Sequence, residues 1–263
     1  MGSATTQALA ATTAALSAAS GVDLDVAREL FAAARAVGDS SQLSGALADS
    51  SAPVAARRKV VSDVFGTAVA PATASLLTTA VEQRWSTPAD LVDGIEELAV
   101  RAAAIADGSA DVEDELFRFS RTVAGNSELE LALGSRLGDA SAKGALVQTL
   151  LSGRASAAAT LIASSLVQQP RERRVRQLLS RATRIVADQR GRKVATVFAA
   201  SPLSPAQTDR LAAALSARYG SRVSINTVVD RAVVGGLRVQ IGDDVIDASV
   251  SSRLADLRQR LAG

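Results

Sequence analysis

The sequence predicts a mostly α-helical protein in which two tandem helical bundles precede a small α/β module at the C-terminus. Three observations predict this fold class: an Ala-rich, aromatic-poor composition, an internal repeat, and a change of hydrophobic periodicity after residue 191. Of the 263 residues, 48% are hydrophobic and 3% are aromatic, which favours close packing of small-residue helices over a β-sandwich. We expect a first bundle over residues 1–108, a second over 109–190 and the α/β module over 191–263.

Charge and residue types exclude several classes of function. The 29 Lys and Arg residues nearly balance the 27 Asp and Glu residues, which argues against a protein that mainly coats nucleic acid or an anionic membrane. The chain contains no Cys and no His, so disulfides, Cys nucleophiles and His-based catalysis are excluded. Residues 1–22 are uncharged but lack the basic start of a signal peptide, so we expect a soluble helix there. No later uncharged stretch is long enough to span a bilayer.

An internal repeat organises the first two-thirds of the chain. Residues 25–47 align with residues 111–133 at an offset of 86, and 11 of the 23 aligned positions are identical. Both copies carry apolar residues at three- and four-residue spacing, which is typical of amphipathic helices. Further along, the offset between matching apolar positions falls to about 80. The repeat therefore predicts a duplicated helical domain.

The second copy lacks a counterpart of the first helix, which we expect at about residues 4–19. It begins at Asp111, so close behind the preceding helix that only a turn fits between them. The Thr-Pro pair at 87–88 provides a helix start, with Thr as N-cap and Pro at the first helical position. We therefore predict that the helix at 88–107 closes the first bundle and replaces the missing opening helix of the second.

Strand periodicity replaces helical periodicity after residue 191. Val194, Thr196 and Phe198 alternate with Ala195, Val197 and Ala199, which is typical of a strand half-buried on each side. Residues 204–207 form a capping box that predicts a helix, and we expect further strands at 223–229 and 237–241. A final helix is expected to carry one apolar stripe, made of Val250, Leu254, Leu257 and Leu261.

The sequence offers no candidate for catalysis or for a cofactor site. Each of the three Lys residues is followed by Val or Gly, so the chain has no phosphate-binding P-loop. Gly235-Gly236 precedes a strand and not a helix, so it predicts a backbone kink and not a dinucleotide site. Asp243, Asp244 and Asp247 are expected in a hairpin turn and not in a magnesium site. We predict no catalytic, cofactor-binding or metal-binding residues.

Two sets of charged residues are candidates for a functional role. The adjacent pairs Glu96-Glu97 and Asp114-Glu115 point about 100° apart on a helix, so we expect surface charge and not an acid–base dyad. Residues 171–193 carry nine basic and two acidic side chains. The apolar side opposite these arginines indicates a solvated face or one that meets an acidic partner, and an RNA-binding helix is the alternative.

A motif near the C-terminus is more specific than these features. It reads Gly-Gly-apolar-x-Val-x-Ile-Gly-Asp-x-Val-apolar-Asp-x-Ser, followed by Arg-Leu-x-x-Leu. Its positions are Gly235, Gly236, Leu237, Val239, Ile241, Gly242, Asp243, Val245, Asp247, Ser249, Arg253, Leu254 and Leu257. This motif closely resembles the signature of the ATP synthase delta subunit family, which includes the mitochondrial oligomycin-sensitivity-conferring protein. Residues 112–187 are similar to the helical domain of that family, so the extra copy makes this chain an enlarged form.

The resemblance implies a non-catalytic subunit of the peripheral stalk, or stator, of a proton-translocating F-type ATP synthase. Such a subunit links the catalytic head to the membrane-anchored b-type subunits and resists the torque of the rotor. The resemblance implies two partners, the N-terminal helix of an alpha subunit in the head and the C-terminus of a b-type subunit, and no cofactor. It also implies a peripheral location on the cytoplasmic face of the bacterial cell membrane, through the complex.

Candidate partner contacts follow from the apolar side chains on the expected terminal helices. They are Leu9, Leu16, Leu254, Leu257 and Leu261. We expect neither nucleic-acid binding nor direct membrane insertion. The sequence leaves open which helical copy takes the alpha-subunit helix, and whether the b-type partner is separate or partly merged with this chain. The alternatives are a helical adaptor or a basic-helix RNA-binding protein outside the synthase.

Overall fold

A computed structural model describes residues 2–135, 138–171, 173–233, 235–242 and 244–247. The chain forms two compact units, Met1–Val186 and Ala187–Gly263, and each has its own hydrophobic core. The predicted fold class, mostly α with a C-terminal α/β module, is confirmed. No helix among the described residues is long and apolar enough to cross a membrane.

Helices build the first unit, and the last of them continues beyond residue 186. They are α1 (Ser3–Ala18), α2 (Leu24–Gly38), α3 (Ser41–Ala48), α4 (Val54–Phe65), α5 (Pro71–Glu82), α6 (Pro88–Ala106), α7 (Val112–Ala124), α8 (Ser127–Gly134), α9 (Ala140–Leu151), α10 (Ala157–Gln168) and α11 (Val175–Gln189). The helices α2 to α6 form the first repeat and α7 to α11 the second. Only α1 has no counterpart among the described helices of the second repeat.

The duplication keeps its register along the whole repeat. Helices α3, α4 and α5 begin at residues 41, 54 and 71, and α8, α9 and α10 begin at 127, 140 and 157, an offset of 86 throughout. Helix α6 begins at 88 and α11 at 175, an offset of 87. The predicted fall of the offset to about 80 is therefore wrong. An apolar helical pattern recurs after seven residues, so a shift of two turns still matches apolar with apolar positions.

A carboxylate performs the same task in both repeats. Glu29 Oε2 accepts hydrogen bonds from the Ala70 backbone N–H at 2.9 Å and from the Thr73 hydroxyl at 2.5 Å. In the second repeat, Glu115 Oε2 accepts from the backbone N–H and the hydroxyl of Ser156 at 2.9 and 2.6 Å. Each carboxylate thus sits at the N-terminus of the fourth helix of its repeat, where the helix dipole favours negative charge. The expectation of surface charge is wrong for Glu115, which packs within its repeat.

Helix α6 supports both repeats. It packs mainly against α2, also contacts α1, α3 and α5, and reaches α10 in the second repeat. We predicted a contact between α6 and the second repeat because that repeat lacks an opening helix of its own, and the contact with α10 confirms it. Gly94 of α6 packs directly against the indole of Trp85, whereas Ile105, near the end of the helix, is 38% exposed. One hydrophobic core runs from Ala8 to Val186 and includes side chains of both repeats. The boundary between two helical bundles at residue 108 therefore stays a prediction from the sequence repeat.

The C-terminal unit is a four-stranded sheet with one helix. Its elements are β1 (Arg192–Ala199), α12 (Pro205–Tyr219), β2 (Arg222–Val229), β3 (Leu237–Ile241) and β4 (Asp244–Asp247). The strand order is β2-β1-β3-β4, with β1 and β2 parallel and the other pairs antiparallel. The predicted capping box of Ser204 and Gln207 starts α12, and Gly220 ends it in the left-handed conformation. Leu215 of α12 belongs to the same core as Val197 of β1 and Val239 of β3.

Candidate partner-binding surfaces

The C-terminal motif shapes the start and the end of β3. Gly235 and Gly236 have φ values of 61° and 86°, a region that residues with a Cβ adopt at a cost, so the predicted kink is present. Val239 and Ile241 point into the core, and Gly242, with φ of 59°, begins the turn into β4. Of the other predicted positions, Val245 and Asp247 lie on β4. Outside the described residues lie Asp243, Ser249, Arg253, Leu254, Leu257 and Leu261.

The same motif lines a groove, which we call the signature groove. Gly235, Gly236 and Leu237 form part of its wall, and another part is formed by Leu203, just before α12, and Leu211, within α12. The groove has a volume of about 650 Å³. Its apolar side chains and its bare glycine backbone make a surface against which a partner can pack closely.

The predicted contacts on α1 separate into one buried and one accessible residue. Leu16 is fully buried in the core of the helical unit, so it packs inside the chain. Leu9 is only partly buried and remains a predicted partner contact.

An acidic face of α6 meets arginines of the second repeat. The residues involved, called here the α6 charge cluster, are Asp93, Glu96, Glu97, Arg101, Arg171, Arg173 and Arg181. Glu96 Oε2 lies 2.6 Å from Arg171 Nη2 and 3.0 Å from Arg173 Nη2. Glu97 Oε1 lies 2.8 Å from Arg101 Nη2, within α6. Arg181 Nη2 approaches the other Glu97 oxygen at 3.4 Å.

The cluster corrects the prediction of surface charge at Glu96 and Glu97. Their exposed fractions are 7% and 8%, because α6 is covered on several sides by both repeats. Buried carboxylates require charged or hydrogen-bonding partners, and the arginines supply them. Asp93 stands three and four residues before the two glutamates, so one acidic stripe on the helix was the signal available in the sequence. For the basic residues 171–193, the sequence predicted a solvated face or one that meets an acidic partner. Part of that acidic partner is α6 of the same chain.

A second groove was not foreseen from the sequence. It lies between α8 and the start of α11, has a volume of about 450 Å³ and is called here the α8–α11 groove. Leu131, Pro170 and Val175 supply apolar walls, and the charged side chains of the lining are Glu130, Arg173 and Arg174. Leu131 is 74% exposed, the highest value among the large hydrophobic residues that the structure describes.

No catalytic arrangement emerges from these surfaces. Within the described part of the chain, no group of three or more acidic, His or Cys side chains is placed to hold a metal ion. The buried carboxylates of α6 are paired with arginines, which supply the partners that buried charges require.

Comparison with known proteins assigns the chain to a family. Residues 97–261 match the family model described as ATP synthase delta (OSCP) subunit. The ATP synthase subunit delta of Leifsonia xyli subsp. xyli is 49% identical, with 100% of both chains covered. That of Streptomyces avermitilis is 40% identical over 94% of this chain and 93% of the relative. A chain in the cryo-EM structure of the Toxoplasma gondii mitochondrial ATP synthase hexamer is more distant, with a TM-score of 0.40 and 20% identity over 64% of this chain and 97% of that one. This chain therefore belongs to the ATP synthase delta (OSCP) subunit family.

Proposed function

We propose that this chain is a stator subunit in the peripheral stalk of a proton-translocating F-type ATP synthase. One observation carries the proposal: the family match covers residues 97–261, and the similarity to an ATP synthase subunit delta extends over the full chain. As a member of this family, the chain is a structural, non-catalytic subunit of the complex. Its task is to join the catalytic head to the membrane-anchored b-type subunits.

The construction of the helical unit supports a part that carries torque. One continuous core passes through both repeats, and α6 contacts helices of each. The α6 charge cluster adds ion pairs between side chains that are about 75 residues apart in sequence. A stator must not yield between its halves while the rotor turns, and a shared core with buried ion pairs resists such bending.

The proposed partners divide between the two units. The signature groove would receive the C-terminal end of a b-type subunit, because its apolar walls and bare glycine backbone allow close packing. The helical repeats would receive the N-terminal helix of an alpha subunit through an apolar groove. Through these contacts the chain would be held peripherally at the cytoplasmic face of the cell membrane.

Co-purification from native membranes tests the proposal. An affinity-tagged chain replaces the native one, membranes are solubilised in mild detergent, and the captured subunits are identified by mass spectrometry. We expect the alpha and beta subunits of the head and at least one b-type subunit in constant proportion. A chain recovered without them would contradict the proposal, and RNA captured with a steep salt dependence would favour the basic-helix alternative.

A further inference from the structure

The C-terminal unit gathers cations at one end of its sheet. Lys193 and Arg218 both stack on the ring of Tyr219, with the Lys193 ammonium 5.1 Å and the Arg218 guanidinium 5.9 Å from the ring centroid. Arg192 at the start of β1 stands beside Arg222 at the start of β2, because the two residues are partners in the parallel register. These five residues, Arg192, Lys193, Arg218, Tyr219 and Arg222, are called here the basic end.

The basic end is unfavourable in the chain by itself. Like charges that stand beside each other on neighbouring strands repel, and so do two cations on one ring. Lys193, Arg218 and Arg222 are exposed, and none of the three forms an ion pair with a residue that the structure describes. Asp244 brings one carboxylate, which accepts a hydrogen bond from the Tyr219 hydroxyl at 3.4 Å. The cations of the basic end outnumber this carboxylate, so an excess of positive charge remains.

An acidic polypeptide is the partner that fits this end. Its carboxylates would pair with the exposed cations, and the positive field of the cations would also speed the encounter. The nearly balanced charge of the whole chain, 29 basic against 27 acidic residues, disfavours nucleic acid. An anionic membrane is disfavoured because a few cations attach a protein only weakly unless apolar side chains or a lipid anchor insert with them.

The length of β1 separates the basic end from the signature groove. Lys193 lies near the start of β1, whereas Ala199 at its end lines the groove. Six residue steps of a strand span about 20 Å, and a helix covers the same distance with about 13 residues. One helical segment that runs along the unit therefore reaches both places.

Helix α12 connects the two places along one of its faces. Ala214 lines the signature groove, and Arg218 follows four residues later, on the same face of the helix. Among the described residues that line the groove, Arg210 is the one charged side chain. It stands on this face too, four residues before Ala214. Positive charge thus continues along α12 from the groove to the basic end.

We propose that the basic end binds an acidic segment of the b-type stalk subunit, about 13 residues before the part of that subunit that enters the signature groove. The inference rests on the proposed function, because it adds a second contact to the same partner. Two contacts about 20 Å apart fix the direction of the stalk subunit relative to this unit, whereas one contact would leave a pivot. Under torque, the second contact keeps the stalk from swinging about its end.

Charge reversal tests the basic end. Membranes of the same organism are stripped of the catalytic head and of this chain, and the fluorescently labelled full chain is titrated back. We expect the double variant Lys193→Glu/Arg218→Glu to bind about tenfold more weakly, because two exposed ion pairs become repulsions. Its binding should also depend less on salt than that of the wild type. The control Arg174→Glu/Arg184→Glu reverses two exposed arginines of the helical unit, changes the net charge equally and should bind like the wild type.

A reversal on the partner separates binding from folding. Carboxylates of the stalk subunit about 13 residues before its seated end are replaced by Lys, which should restore binding of the Lys193→Glu/Arg218→Glu variant. Failure of this rescue overturns the inference, whatever the melting temperature of the variant. If the wild type binds and the double variant binds equally well, the inference is overturned and the proposed function stands. If the wild type itself does not bind, the proposed function fails and the inference fails with it.

Site-specific cross-linking identifies the occupant. A benzoylphenylalanine photo-cross-linker is placed at Tyr219 of the full chain in assembled synthase, and in a second preparation at Ala200, which lines the signature groove. We expect both positions to give adducts with the same b-type subunit, the Tyr219 adduct about 13 residues before the Ala200 adduct. A Tyr219 adduct with lipid, with RNA, with a second copy of this chain or with its own residues 248–263 overturns the inference.

Discussion

The substitution Glu96→Gln probes the charge cluster that links α6 to the second repeat. The Glu96 carboxylate accepts one hydrogen bond from Arg171, at 2.6 Å, and two from Arg173, both at 3.0 Å. Its side chain is 10% exposed, and those of the two arginines are 21% and 23% exposed. The amide keeps one acceptor but loses the charge and turns an N–H donor toward a guanidinium. With bonds to charged groups worth about 1.5–3 kcal/mol each, we expect a loss of about 2–4 kcal/mol.

Urea unfolding followed by circular dichroism measures this loss. The matched control is Glu82→Gln, because the ion pair of Glu82 with Arg58 lies at the surface and such pairs contribute at most about 1 kcal/mol. In an Arg173→Met background, Glu96→Gln should be less damaging by about 1–3 kcal/mol, the coupling of a buried pair. A Glu96→Gln variant no less stable than the Glu82→Gln control would refute a role for the cluster in joining the repeats.

Three further predictions follow from the described contacts. Glu29→Gln and Glu115→Gln should each destabilise by about 1–3 kcal/mol in urea unfolding, and effects of clearly different size would contradict their equivalence in the two repeats. Gly94→Ala should lower stability by about 1–3 kcal/mol despite the better helix propensity of Ala, because the added Cβ collides with an indole ring; an unchanged melting temperature would exclude this clash. The hydrogen bond from the Ser141 hydroxyl holds the pKa of Asp139 below its ordinary range, so its contribution to stability is present above that range and is lost as the pH falls through the lowered pKa. The stability difference between wild type and Asp139→Asn should therefore shrink between about pH 5 and about pH 2, and a constant difference would exclude the titration.

Local chemistry made much of the fold predictable. The cap at Thr87 and the capping box at 204–207 start helices where the sequence placed them, because these signals act within four residues. The strand alternation after residue 191 and the hairpin between β3 and β4 were predicted for the same reason. The predicted alignment of α6 with α11 was wrong by about two helical turns. The error arose because a seven-residue shift along a helix still matches apolar positions with apolar positions.

The charge cluster and the grooves could not be predicted from the sequence, because they depend on contacts between residues that lie far apart along the chain. Glu96 pairs with arginines 75 and 77 residues away, so the adjacent acids looked like solvated charge. The α8–α11 groove exists because α8 lies beside the start of α11, a long-range placement that no local sequence pattern shows. The C-terminal motif was recognisable in sequence, but the groove that it lines needed the positions of β1 and α12.

Proton pumping in membranes that lack this chain tests the stator role most directly. Inverted vesicles are prepared with and without the chain, and ATP-driven proton uptake is recorded beside ATP hydrolysis by the head. If the chain joins the head to the membrane-anchored subunits, its loss abolishes ATP-driven proton uptake. ATP hydrolysis continues, because the head is either released from the membrane or no longer coupled to proton transport. Adding the purified chain back restores proton uptake. Proton uptake that persists at the wild-type rate in vesicles without the chain would contradict the account.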